Sequence, residues 1–105
     1  MLMELDPILI VWDDWNTPHV EKHGTTRDEV DFVCYGRPVR YRESYKNRTM
    51  VIGTGYEGRI LTVVVGPVPE MPDCYFYVFS ARPAKRKERA YYAATRRTEP
   101  PPAEL

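Results

Sequence analysis

No stretch of this 105-residue chain approaches the roughly 20 apolar residues that a membrane-spanning helix requires, which excludes such a span within it. Its start also lacks a basic segment followed by an apolar one, so no secretory signal is read there and a cytoplasmic location is the expectation. Cysteine is scarce. Cys34 and Cys74 stand far apart, without metal-ligand spacing or secretory context, and both read as small buried apolar residues rather than as a disulfide or a metal site. Net charge is missing too: 15 basic residues balance 15 acidic ones, which argues against a generic, strongly basic nucleic-acid binder. The balance hides an asymmetry. Residues 1–35 hold two basic and eight acidic residues, a sum of −6, and residues 36–105 hold thirteen basic and seven acidic, a sum of +6. A polarised molecule follows, with a basic face suited to nucleic acid and an acidic one that repels misplaced RNA or receives a basic partner. There is no internal repeat, and the length allows one modest core.

What is present reads as strand, two helices, four strands and a helix. Ile8–Trp12 is a short β-branched apolar run, and a strand is expected there. Asp14, Asn16 and Thr17 offer caps for a helix that carries Pro18 in its first turn, reaches about His23 and stops at Gly24. Thr26 and Glu29 have capping-box spacing for a second helix with Val30, Val33 and Cys34 inward, ended by Gly36 and Pro38. Alternation over 39–45 puts arginines on one strand face. Strands over 49–54 and 59–65 form a hairpin through Gly55–Gly58. A proline-rich loop over 66–73 leads to the last strand, over 74–80, and residues 98–105 read as a frayed, disordered proline-rich tail on a single domain, 1–97. The expected fold is α+β, a small antiparallel sheet whose one face is flanked by two N-terminal helices and one C-terminal helix.

The stretch from Cys74 to Tyr92 turns from an aromatic strand into a basic helix. Pro83 suits a first helical turn, so the helix is expected to begin between Arg82 and Arg86. Ala84, Tyr91 and Thr95 share a face with Tyr92 and Ala94 at its edges, and Arg86, Arg89 and Ala93 lie opposite. Glu88 falls in the middle of the inward face, where a carboxylate needs a cation or a donor, and arginines are the obvious partners. Lys85, Arg86 and Lys87 crowd a helix end that is already positive, an unfavourable placement that a phosphate would relieve, unless these long side chains simply reach into solvent.

Trp12-Asp13 with Asn16, Lys22-His23-Gly24, Gly58-Arg59-Ile60-Leu61, and Ser80-Ala81-Arg82 with Ala84, Glu88 and Tyr92 together resemble the BrnT family of type II toxin–antitoxin systems, over almost the whole span from Trp12 to Tyr92. The resemblance implies a RelE-like fold, a ribonuclease toxin, an RNA substrate, no cofactor, and neutralisation by a DNA-binding antitoxin of BrnA type, in a homodimer or a toxin–antitoxin hetero-oligomer. Two departures mark a divergent branch. Lys85 replaces the hydroxyl or amide cap usual three residues before the glutamate, so the capping box is expected to be missing, and His19 stands where Asn is frequent.

Metal-independent RNA cleavage by 2′-hydroxyl attack needs a base, an acid and cations for the charged transition state. Arg82, then Arg59, are the candidates for phosphate stabilisation, as strand arginines are in RelE-like toxins. An Arg82–Glu88 or Arg59–Glu88 pair that only ties helix to sheet fits the same residues. His19 and His23, four apart, share a helix face and offer acid or base chemistry near neutrality; they equally fit local hydrogen bonding, and a zinc site would lack a third ligand. Tyr92 is open between catalysis and packing; Tyr91, Trp12 and Trp15 read as packing. Lys22, Lys85, Arg86, Lys87 and Arg89 are the expected RNA-contacting cations. A non-catalytic module that binds RNA or protein on the same surface is the alternative.

Overall fold

The computed structural model describes residues 8–42 and 47–98. Its elements are β1 (Leu9–Val11), α1 (Asn16–Lys22), α2 (Arg27–Tyr35), β2 (Val39–Arg42), β3 (Thr49–Thr54), a 3-10 turn (Tyr56–Gly58), β4 (Ile60–Pro67), β5 (Tyr75–Pro83) and α3 (Arg86–Thr98). Residues 43–45 of the strand expected over 39–45, and 99–105 of the expected tail, lie outside the described residues; Thr98, assigned to that tail, closes α3.

The architecture is α+β, with five strands in the order β1-β5-β4-β3-β2. Two expectations need correction. The sheet is mixed rather than antiparallel, because β1 runs parallel to β5, Leu9 beside Tyr75 and Val11 beside Tyr77. The helices also cover both faces. Alternation along the strands sends Val51, Val63 and Val65 to the side packed by Val20, Val30 and Val33 of α1 and α2, while Ile52 points the other way, against Ala84 and Tyr92 at α3. The chain leaves one edge strand, β1, crosses the first face through the helical pair and returns as the opposite edge strand, β2.

Local chemistry sets the boundaries. The Thr26 hydroxyl accepts from the Glu29 N–H and fixes the start of α2. At α1 no side chain of the N-cap residue, Trp15, does this; instead Asp13 accepts from the Trp15 and Asn16 N–H groups. Gly24, at φ 88°, ends α1 in a conformation that other residues resist. Pro83 closes β5, opposite Leu61, rather than opening the helix. Strand pairing with β4 therefore holds three residues beyond Ser80, and Arg82 is a strand residue opposite Thr62. The inward stripe of α3 is Glu88, Tyr92 and Thr95, and Tyr91 is left 37% exposed against the edge of the Tyr41 ring. Cys34 is buried, which pushes its thiol up to about 12, whereas Cys74 is only half-buried.

Gly55 marks a close approach. A Cβ there would lie 2.5 Å from a Glu29 carboxylate oxygen. Gly55→Ala is expected to displace that carboxylate and lower stability by about 1–3 kcal/mol, read as a fall in the urea midpoint at unchanged slope.

Candidate functional site

Three of the four sequence motifs meet at one end of the sheet, where β3 turns into β4 and β5 leads to α3. Arg59 precedes β4, Arg82 pairs with Thr62 two residues into it, and the Ala84 N–H donates to the Ile60 carbonyl. The α1 terminus arrives there as well, because Arg59 Nη2 donates to the Gly24 carbonyl at 2.8 Å. Alternation along β4 puts the two arginines on opposite faces.

Each is held by a carboxylate. Arg82 grips Glu88 with both terminal nitrogens, at 2.7 and 2.8 Å, and the same carboxylate accepts from the Thr62 hydroxyl at 2.9 Å and the Lys85 N–H at 2.7 Å. Arg82, ahead of the backbone and hydroxyl donors, holds the Glu88 carboxyl at about 2 despite its burial. Glu88 is thus a fixed anion with no proton to trade near neutrality. Half of the capping box expected to be absent is present, since Glu88 reaches back to Lys85 although Lys85 offers no hydroxyl in return.

Arg59 makes the matching clamp with Glu29, not Glu88. Its Nε and Nη2 donate to the two carboxylate oxygens at 2.9 and 2.6 Å, and the Tyr56 N–H adds a third bond. The Arg59 hydrogen bonds hold the Glu29 carboxyl below its ordinary value. The two clamps differ at their outer edges: the Arg59 side chain is 41% exposed and its Nη1 donates to no described residue, whereas Arg82 is more enclosed. Thr62 and the role of Glu29 escaped the sequence reading. A threonine mid-strand carries no signal of a helix opposite it, and the Glu29 spacing from Thr26 fits capping equally well.

His23 caps α1 next to Gly24 and is exposed; His19, one turn earlier, is half-buried. Their rings meet edge to face at 5.2 Å, and no further His, Cys, Asp or Glu among the described residues joins them in a metal-sized group. Tyr92 is chiefly a packing residue, set against Ala84 and Ile52, with its hydroxyl 2.9 Å from that of Thr54. Lys22, Lys85, Arg86, Lys87 and Arg89 are all exposed. Arg89 turns back to donate to the Ala84 carbonyl at 2.7 Å. Between the start of α3 and the sheet lies a hollow of about 390 Å³, lined by Tyr41, Met50 and residues 85–88.

Trp12 is a packing residue whose indole N–H donates to Asp31, but Trp15, read as packing, is 54% exposed. Compared with protein-family models and with curated protein sequences, the chain matches none.

Proposed function

We propose that the chain is a metal-independent endoribonuclease toxin of a type II toxin–antitoxin system, acting in the cytoplasm on a RelE-like fold and held in check by a DNA-binding antitoxin of BrnA type. The observation that supports this reading is the hydrogen bond from half-exposed Arg59 to the Gly24 carbonyl, which brings it to the end of α1 where His23, the residue before Gly24, is exposed. In the reaction, His23 or His19 takes the proton of a 2′-hydroxyl, whose oxygen forms a bond to the adjacent phosphorus. The P–O5′ bond breaks, and the 5′-oxygen leaves with a proton from the other group, giving a 2′,3′-cyclic phosphate. Arg59 faces the charged phosphate, while Arg82 and Glu88 hold the frame from which the start of α3, with Lys85, Arg86 and Lys87, meets the backbone.

Purified protein is expected to cut RNA in the presence of a chelator and to leave cyclic phosphate ends, and induced expression to arrest growth unless a small DNA-binding protein encoded beside it is co-expressed. Folded protein inert in both assays would remove the enzyme reading. One observation favours the second reading, a non-catalytic RNA-binding or protein-binding module: both arginines nominated for phosphate are gripped by carboxylates. That module would bind RNA with a log–log salt slope of roughly one per phosphate contact and yield no product.

A further inference from the structure

A row of rings runs along α1 and over the neighbouring edge of the sheet, outside both clamps. His23 meets His19 at 5.2 Å, His19 stacks on Trp15 at 4.6 Å with 16° between planes, and Trp15 faces Tyr77 at 6.5 Å and 25°. Tyr77 meets Phe79 at 5.2 Å, and the Arg48 guanidinium lies 3.8 Å over the Phe79 ring. Spacing on α1 explains the first half: residues 15, 19 and 23 recur every four positions and share one helix face. Strand alternation explains the second: Tyr77 and Phe79, two apart on β5, share a sheet face, and the Phe79 ring fills the space beside Gly66. Tyr77 is held in place, its hydroxyl donating to the Asp13 carboxylate at 2.9 Å. The row is not core: Trp15 and His23 are exposed, and His19, Tyr77, Phe79 and Arg48 are half-buried.

We propose that this row is a stacking platform for the unpaired bases of single-stranded RNA, an inference that rests on the reading of the chain as RNA-acting. The exposed indole of Trp15 accepts any base by stacking, and a guanidinium at the end of the row both stacks and meets phosphate. The interval between Trp15 and Tyr77 is the widest between rings in the row. Charge favours RNA over an apolar peptide. Arg48 closes one end, and Tyr77 stands on the same sheet face as Thr62 and Arg82, the face bordered by Lys85, Arg86 and Lys87. Of the two carboxylates beside Trp15, Asp13 is engaged by the Tyr77 hydroxyl and by the Trp15 and Asn16 N–H groups, and Asp14 is exposed. The platform leads the strand toward His23, the residue next to Gly24 on which Arg59 closes.

The test uses the full chain with a short oligoadenylate and a ribose-phosphate oligomer of equal length without bases. Oligoadenylate is expected to quench tryptophan fluorescence through Trp15, and Trp15→Ala to weaken its binding about tenfold or more while leaving the abasic oligomer unaffected; Trp15→Phe should retain most of the affinity. Because Trp15 is exposed and Asp13 rather than the indole holds the start of α1, the variant is expected to fold, and the quench in unaltered protein needs no variant. Equal affinity for the two oligomers, absence of a quench, or a Trp15→Ala affinity within about twofold of the original overturns the platform. The two proposals fail separately. Cleavage with unaltered kcat and KM in Trp15→Ala overturns the platform and leaves the toxin reading standing, whereas base-dependent binding without any product supports the platform and ends the enzyme reading.

Discussion

Glu88→Ala is expected to lose about 3–5 kcal/mol of folding stability, a large part of what a domain of this size possesses. The substitution deletes one carboxylate but abandons three partners: the Arg82 guanidinium, the Thr62 hydroxyl and the Lys85 N–H. Thr62 is fully buried and has no water to turn to. Arg82→Ala should also destabilise, by less, because Glu88 keeps its two other donors. In urea unfolding of the single and double variants the pair should be strongly non-additive; additive losses would mean that the clamp contributes nothing as a unit. Acid gives an independent check. Arg82 holds Glu88 at about 2 in the folded chain against an ordinary 4.5, so between those values the unfolded chain binds more protons. Stability from this group is therefore fully present above about pH 4.5 and drains away as pH falls toward 2, by about 3 kcal/mol. Glu29, also lowered, steepens the loss in the same direction. The slope should flatten in Glu88→Ala.

His23→Ala carries the largest expected effect on activity: a fall in kcat of about two to four powers of ten, with little change in stability or KM. The exposed ring supports no core residue, so its removal should leave the unfolding midpoint in place. On the same reading His19→Ala should also lower kcat, since that ring, flanked by Trp15 and His23, is the second proton-transfer group. Full cleavage by both histidine variants would move the acid–base chemistry off α1 and leave Arg59 without a partner there.

Much of this frame was legible in the residues because local rules and burial agreed. Alternation gave β3 its observed bounds, and Thr26 with Gly36 set α2 within a residue. The carboxylate at 88 announced its own need for a partner. What failed did so where a distant element decides. Pro83 looks like a helix opener, but pairing with β4 outweighs that preference and extends the strand through Pro83, so α3 begins at Arg86, the far end of the expected range, with Tyr92 rather than Tyr91 inward. The parallel neighbour of β1 has no local signature, because nothing near Leu9 specifies Tyr75. The ring row was hidden for the same reason: Trp15 and Tyr77 are far apart in sequence, and a lone aromatic reads as core until its surroundings are known.

That parallel pairing has a consequence for how the molecule comes into being. β1 is made before the other strands of the described sheet, yet its partner follows 66 residues later, so it waits for the last of them. Closing so long a loop is entropically costly and slow relative to forming the β3–β4 hairpin, which needs only its own turn. The apolar side of α1, which packs on β5, stays uncovered during that interval. If the chain is the proposed ribonuclease, it gains competence only once β5 is in place.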